Sequence, residues 1–134
     1  MLGFILLKEK FNMSKNDSLH LVLGASAKED RASNQAVRKL KMYGYKVMAV
    51  SNKLDMIGDT PIETDFPAGN VHTLTMYLSA VNQKPYYEKI LALHPGRIIF
   101  NPGAENDELE KLAYQNGIET EEACTLVLLN TGQY

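Results

Sequence analysis

Short apolar, β-rich runs alternate with helix-patterned segments along this chain, and that alternation restricts its fold more than any other feature. Strands are predicted where such runs are bounded by glycine, proline or polar residues, at 19–24, 46–50, 71–78, 97–100 and 118–120. Helices are predicted where apolar residues recur on one helical face, over 34–43, 82–94, 107–116 and 123–130. Strands and helices that alternate at short spacing form a parallel sheet with helices on both faces.

The expected architecture is therefore α/β, a single-domain Rossmann-like doubly wound parallel sheet of about five strands in the order 3-2-1-4-5. Part of the irregular stretch 52–70, which contains several glycines and prolines, is a candidate short edge strand. A length of 134 residues suits one domain. We expect residues 19–134 to form it and residues 1–18 to be an N-terminal extension. Disorder and a short docking helix are both open for the extension, and Met13 is a candidate alternative start, which leaves the native status of residues 1–12 open.

The charge and composition of the chain argue against several classes of partner. The formal net charge is -2, so we expect no nucleic-acid binding, which needs clustered positive charge. No apolar run approaches the roughly 20 residues of a spanning helix, so we expect no membrane insertion. Cys124 is the only cysteine in the sequence and can form no intrachain disulfide, which fits a reducing cytoplasm.

No catalytic or metal-binding set is visible in the sequence. The histidines His20, His72 and His94 are scattered, and no cluster of His, Cys or carboxylates has the spacing of metal ligands. Cys124 lies in an apolar segment, where a buried packing cysteine is expected rather than a nucleophile. We therefore predict a binding module with no catalytic residue and no metal.

Open parallel sheets bind ligands beyond the carboxyl ends of their strands, at the switch point where the strand order reverses. In the order 3-2-1-4-5 this point lies between the first and fourth predicted strands. The loops expected to form the site are therefore residues 24–34, 51–53, 79–83 and 101–105.

The first of these loops has the features of a phosphate-binding turn. Gly24 directly after the strand lets the backbone approach a ligand, and amides at the start of the next helix can hold a phosphate. Further donors and positive charge come from Ser26, Arg31, Ser33 and Asn34. The loop is not G-x-G-x-x-G, so a plain strand-to-helix connection is the alternative.

The residues after the second strand distinguish classes of nucleotide. A typical NAD site has Asp or Glu there, which accepts from the ribose hydroxyls, but this chain has Ser51, Asn52 and Lys53. A lysine at this place favours a phosphorylated ribose, which both NADP and coenzyme A carry. A solvated loop lysine is the alternative interpretation of Lys53.

The turn after the fourth strand can line the other half of the crevice. It consists of Asn101, Pro102 and Gly103. A tight turn into the next helix, with no ligand, is the alternative, because Pro-Gly is common in turns.

Together these residues resemble a known family. The segments that carry the resemblance are 21–26, 44–47, 101–106 and 123–134, together with Arg31, Ser33 and Asn34. They are similar to the stand-alone CoA-binding domain proteins of bacteria, whose fold resembles the N-terminal CoA-binding domain of the succinyl-CoA synthetase alpha subunit. The resemblance covers residues 19–134. The synthetase relatives phosphorylate a histidine of a separate domain that this chain lacks, so their activity is not implied.

The resemblance implies where coenzyme A would lie. Its pyrophosphate would lie near Gly24, Ala25, Ser26 and Asn34. The adenosine 3′-phosphate would lie near Ser51, Asn52 and Lys53. The pantetheine arm would run towards Leu78, Ser79, Asn101, Pro102 and Gly103. Many relatives carry Asn-Pro before the lysine and Gln-Gly after the fourth strand, and this chain departs from both patterns.

The first hypothesis is thus a cytoplasmic, non-catalytic protein that binds coenzyme A or an acyl-CoA. One alternative is a small NADP-binding enzyme or redox sensor, in which Lys53 holds the 2′-phosphate. Another is an interaction domain without a ligand. Val81 and the helix with Tyr86 and Tyr87 also leave open a homodimer or an unknown protein partner.

Overall fold

The computed structural model describes residues 17–134, and its strands join one mostly parallel sheet. The strands are β1 (Leu19–Leu23), β2 (Lys46–Val50), β3 (Asp55–Ile57), β4 (Thr60–Glu63), β5 (Val71–Met76), β6 (Arg97–Phe100) and β7 (Glu119–Glu122). The helices are α1 (Ala32–Met42), α2 (Ala80–Gln83), α3 (Tyr87–Leu93), α4 (Asp107–Gln115) and α5 (Thr125–Asn130), with a 3₁₀ turn, Lys84–Tyr86, between α2 and α3.

Most of the expected N-terminal extension, residues 1–16, lies outside the described residues. Ser18, at the expected boundary, is buried, and its hydroxyl donates to the Asn70 side-chain oxygen at 3.0 Å. The backbone amide of Leu19 also donates to the Asn70 carbonyl. The chain is therefore already anchored in the fold one residue before β1.

Within residues 17–134, the sheet has seven strands in the order β3-β4-β2-β1-β5-β6-β7. All neighbours run parallel except β3 and β4, which form an antiparallel hairpin. The predicted α/β class and Rossmann-like, mostly parallel sheet are confirmed. The predicted five strands in the order 3-2-1-4-5 are wrong.

Residues 52–70 account for the difference, because they form the hairpin of β3 and β4. β4 pairs with β2 and takes the place expected for the third strand, whereas the segment predicted as that strand, β5, pairs with β1 and β6. All of β5 is buried, and a strand buried on both faces belongs inside a parallel sheet. Pro61 of β4 is exposed, and a strand with proline fits close to the edge of a sheet.

The switch point moves with this change. From β1 the sheet extends through β2 to the hairpin on one side, and through β5 to β7 on the other. The order therefore reverses between β1 and β5, not between β1 and the strand predicted as fourth, which is β6. The ligand site is expected beyond Leu23 and Met76, where these two central strands end.

Different helices cover the two faces of the sheet. Leu21 of β1 lies in a core that includes Ile90 of α3. The next residue, Val22, lies in a second core with Val37 of α1 and Leu129 of α5. Successive side chains of a strand point to opposite faces, and full burial of each such side chain stabilises the fold by about 1.5–3 kcal/mol.

Local signals set the end of α1 and the start of α4, which lie on opposite faces of the sheet. Gly44 follows α1 with a φ of 88°, a left-handed conformation that glycine adopts without strain. The Asn106 side-chain oxygen accepts from the Leu109 N–H and caps α4. Both helix ends are close to those predicted.

The helix predicted over 82–94 is divided instead. Pro85 lies in the 3₁₀ turn between α2 and α3, because a proline ring clashes with the preceding turn and supplies no N–H within a helix. The preceding helix begins at Ala80, two residues before the predicted start at residue 82. Among the described helices, none is long and apolar enough to cross a membrane.

Candidate functional site

A cleft of about 350 Å³ lies at the switch point, between the loops that follow β1 and β5 and the start of α1. Its lining is Gly24, Ser26, Arg31, Ala32, Ser33, Tyr77, Leu78, Ser79 and Asn82. Six of the predicted site residues are thus brought together here: Gly24, Ser26, Arg31, Ser33, Leu78 and Ser79. Ala32 and Asn82 lie within the predicted loops 24–34 and 79–83 but were not singled out, and Tyr77 lies outside every predicted loop.

Gly24 allows the two loops to meet closely. Its φ is +92°, and a Cβ built on it would lie 3.1 Å from the Leu78 side chain. The N–H groups of Gly24 and Ala25 donate to the Val50 carbonyl at 2.9 and 3.1 Å. These two amides are therefore already engaged in joining β1 to β2.

Internal hydrogen bonds hold the loop between β1 and α1. The Ser26 hydroxyl accepts from the Lys28 N–H at 3.1 Å, and the Asn34 side-chain amide donates to the Ser26 carbonyl at 2.9 Å. The Asn34 oxygen in turn accepts from the Arg38 guanidinium at 2.8 Å. Asn34 is buried and does not line the cleft, so its visible role is to position Ser26.

The first turn of α1 opens onto the cleft. Arg31 occupies the N-cap position with extended backbone and makes no side-chain cap, and its carbonyl accepts the Gln35 N–H. The N–H groups of Ala32 and Ser33 have no partner within the helix, as at every helix start. The Ser33 side chain is 5% exposed, lines the cleft and makes no hydrogen bond within residues 17–134. Such a helix start attracts anions.

The loop after β5 is held by one buried glutamine that sequence reasoning did not single out. The Gln83 side-chain amide donates to the carbonyls of Leu78 and Ala104, both at 2.8 Å. Its oxygen accepts from the Asn106 side chain at 2.8 Å. Gln83 therefore joins the loops that follow β5 and β6 and fixes the wall of the cleft.

Tyr77 lines the cleft, packs against the core beneath α1 and α5, and supplies no acid–base group at neutral pH. Burial raises the pKa of Tyr77 well above its usual value, so the phenol stays protonated at neutral pH. Its hydroxyl is buried and has no hydrogen bond of normal geometry. A tyrosine at the end of a predicted strand is the only sequence signal for this residue.

The residues predicted after β2 lie outside this cleft. The Ser51 N–H donates to the Glu63 carbonyl at 2.9 Å, and the Ser51 hydroxyl lies 3.4 Å from the Asn52 side-chain oxygen. Lys53 is exposed and has no ion pair within residues 17–134. Since β2 pairs with β1 in parallel, these residues lie, like the cleft, beyond the carboxyl ends of the strands.

Of the site residues predicted after β6, one is buried within the fold and two lie on the surface. Asn101 is buried, and its side-chain amide donates to the Thr75 hydroxyl at 2.7 Å and the Met76 carbonyl at 3.0 Å. Its oxygen accepts from the Thr125 N–H at 2.8 Å. Pro102 and Gly103 are exposed. None of the predicted residues Asn101–Gly103 is brought into the cleft.

The site contains no set of metal ligands. Within residues 17–134, no group of three or more His, Cys, Asp or Glu side chains could hold a metal ion. The cleft lining has one charged side chain, Arg31, and several hydroxyl and amide donors. That donor set suits an anionic, phosphate-bearing ligand.

Solved structures share this fold. The crystal structure of an uncharacterized protein is 38% identical and matches 87% of this chain and 98% of its own, with a TM-score of 0.83. The cell-free ID.343 protein from Thermus thermophilus is 19% identical, with a TM-score of 0.76 over 94% of this chain and 98% of its own. A hypothetical protein from Pyrococcus horikoshii OT3 is 19% identical, with a TM-score of 0.74 over 92% and 87%. The last two likenesses bear on the fold alone.

The family comparison bears on the ligand as well. No curated protein matches the chain. A family model described as a CoA binding domain matches residues 20–130, which include all of the cleft lining. The chain therefore belongs to the CoA binding domain family.

Proposed function

We propose that this protein binds coenzyme A or an acyl-CoA in the cleft between β1 and β5, without catalysis of its own. The observation that carries the proposal is the start of α1, where the nearly buried Ser33 side chain faces the cleft without a hydrogen-bond partner in residues 17–134. Beside it are the first-turn amides of α1 and the Arg31 guanidinium. A pyrophosphate would satisfy all of these donors at once.

The hydrogen bonds that the site residues already make limit which groups can bind the pyrophosphate. Because the amides of Gly24 and Ala25 donate to Val50, the proposal assigns the phosphate oxygens to Ala32, Ser33 and Arg31. Gly24 contributes to the site by letting the loops after β1 and β5 approach each other closely. Ser26 and Asn34 shape the loop through their own hydrogen bonds.

Lys53 is the proposed partner of the adenosine 3′-phosphate. It is exposed, carries an unpaired charge within residues 17–134 and follows the strand that neighbours β1. Ser51 and Asn52 would lie along the adenosine. A contact of this kind between an ammonium group and a phosphate contributes about 1–2 kcal/mol at an exposed site.

The pantetheine arm is assigned to the apolar wall of the cleft. Tyr77 and Leu78 line that wall, and Ser79 follows them. From there the arm could reach the exposed Pro102 and Gly103, whereas the Asn101 side chain is engaged within the fold. Among the described residues, the lining has no thiol, histidine or carboxylate, which supports a binding role over a catalytic one.

Isothermal titration of the full chain with coenzyme A, acetyl-CoA, dephospho-CoA, NADP and NAD tests the proposal. Coenzyme A and acetyl-CoA should bind more tightly than either nicotinamide nucleotide. Arg31→Ala should weaken the binding of coenzyme A by roughly 10-fold, about 1.4 kcal/mol. Lys111→Ala, which removes a cation outside the cleft lining, should leave this binding unchanged. Absence of coenzyme A binding at millimolar concentration would refute the proposal, and tighter binding of NADP would favour the NADP alternative.

A further inference from the structure

β7 is an edge strand with one open side. Within the described sheet it pairs only with β6. The Ala123 N–H donates to the carbonyl of Phe100 in β6, and backbone groups alternate in direction along a strand. The N–H and C=O groups of Thr120 and Glu122 therefore point away from β6. An open edge of this kind is a template for an added strand.

One stripe of α4 lies beside this edge and forms a groove with it. Asp107, Glu110, Lys111 and Tyr114 have the i, i+3, i+4, i+7 spacing of one helical face. They line a groove of about 850 Å³ together with the start of β7. The Tyr114 side chain is 84% exposed, so an aromatic ring stands uncovered at one end of the groove.

The groove has an excess of negative charge. Asp107, Glu110 and Glu119 line it, and Lys111 is the one cation among the lining residues. Glu122 continues the acidic strand, and neither it nor Glu119 has an ion pair within residues 17–134. Charge complementarity therefore favours a cationic partner.

The same charges disfavour a second copy of this chain at the edge. Two β7 strands side by side would bring Glu-Thr-Glu-Glu against itself, and like charges on neighbouring strands destabilise the pairing. Among the glutamates of β7, only Glu121 has a compensating cation within residues 17–134, which is Arg97 at 3.2 Å. These charges favour a different, basic chain at this edge.

We propose that the groove between α4 and β7 binds an extended, basic segment of another protein, which adds a strand to the sheet. The backbone of that segment pairs with the outward groups of Thr120 and Glu122. Its alternate side chains face α4, where lysine or arginine reaches Asp107 and Glu110 and the apolar stem of another such residue packs on Tyr114. The edge lies two strands from β5, so this binding is separate from the cleft.

The test uses a fluorescein-labelled ten-residue peptide of alternating lysine and valine, titrated with the full chain and followed by anisotropy. An otherwise identical peptide with glutamate in place of lysine should bind at least about 10-fold more weakly. Thr120→Pro should also weaken the binding of the lysine peptide at least about 10-fold, because it removes a backbone N–H that points away from β6. Proline is tolerated at an edge position whose N–H faces solvent, and Thr120→Val, which keeps the N–H, should bind like the unmodified protein.

Three results would overturn the proposal. The first is absence of lysine-peptide binding at millimolar concentration, and the second is equal binding by the Thr120→Pro and Thr120→Val variants. The third is a dimer in sedimentation that Thr120→Pro dissociates, which would make a second copy the occupant. Titration of Thr120→Pro with coenzyme A should match the unmodified protein, which separates this test from that of the cleft.

Discussion

Strands β1 and β5 lie side by side in the centre of the sheet, and their two ends are built from different kinds of residue. Beyond the carboxyl ends, small side chains and the open start of α1 surround the cleft. At the amino ends, His20 of β1 and the C-terminal Tyr134 share a hydrogen bond of 2.7 Å. The ring of His72 lies 5.3 Å from that of His20, and the Arg97 guanidinium lies 4.7 Å from the centre of the Tyr134 ring.

The difference indicates that one pair of strands supports packing at its amino ends and, under the proposed function, ligand binding at its carboxyl ends. Large rings at the amino ends fill the space between the strands and the C-terminal residues. Burial raises the pKa of Tyr134 to about 12, with the charge of Arg97 acting in the opposite direction, so its phenol is neutral at physiological pH. Substitutions at the amino ends should therefore affect stability, and those at the carboxyl ends should affect affinity.

The largest expected effect is on stability, from Tyr134→Ala. Removing this buried ring should lower the free energy of unfolding by about 3–5 kcal/mol, because it leaves a cavity beside His20 and Tyr45. Urea unfolding measures the loss, with Tyr114→Ala as the exposed control, expected to change stability by less than about 0.5 kcal/mol. Affinity for coenzyme A should be unchanged while the variant is folded, and a large loss of affinity would contradict the separation of the two ends.

Gly24→Ala should lower both the free energy of unfolding and the affinity for coenzyme A, because it changes the backbone at the cleft. We expect a loss of about 2–3 kcal/mol in stability, from strain at a φ of +92° and from contact with Leu78. Gly103→Ala is the matched control, since Gly103 has a φ of +93° and open space around its Cβ. Its loss should be about 1–2 kcal/mol, and equal losses for the two variants would argue against the close contact.

Lys53→Ala should change affinity alone. Coenzyme A should bind roughly 5- to 30-fold more weakly, about 1–2 kcal/mol, and less so at high salt. Dephospho-CoA, which lacks the 3′-phosphate, should bind as before. Lys46→Ala, at the opposite end of the same strand, is the control. Equal losses for the two ligands would show that the adenosine end lies elsewhere.

Ser33→Ala should have the smallest effect, about 1 kcal/mol in affinity, which corresponds to roughly 5-fold. The loss should be the same for coenzyme A and dephospho-CoA, because both carry the pyrophosphate. Stability should hardly change, since the hydroxyl has no hydrogen bond to lose within residues 17–134. A loss of stability with unchanged affinity in titration would assign Ser33 to the packed part of the molecule.

Local patterns predicted much of the fold, and long-range pairing limited the rest. Apolar runs and turn residues indicated β1, β2, β5, β6 and β7 close to their observed bounds. The hairpin of β3 and β4 was foreseen only as a candidate strand, because short strands with Pro61 and Gly58 have little periodicity. Which strand lies beside β2 depends on burial across the whole sheet, and the local pattern carries no such information.

The candidate site was predictable to a similar degree. Small and polar residues in the loop after β1 indicated the first wall of the cleft. The role of Asn101 was not predictable, because its partners at Thr75, Met76 and Thr125 are distant in sequence. The engaged amides of Gly24 and Ala25 likewise depend on their contact with β2.

The hydrogen bonds of Asn101 also bear on how the nascent chain completes its fold. During synthesis β5 and β6 leave the ribosome before Thr125, whose N–H is the partner of the buried Asn101 oxygen. Until then that oxygen lacks its native partner, and the hydrogen bond that forms later contributes about 0.5–1.5 kcal/mol. During translation, the sheet around the cleft should therefore be less stable than in the complete fold. It should gain its full stability only when α5 docks.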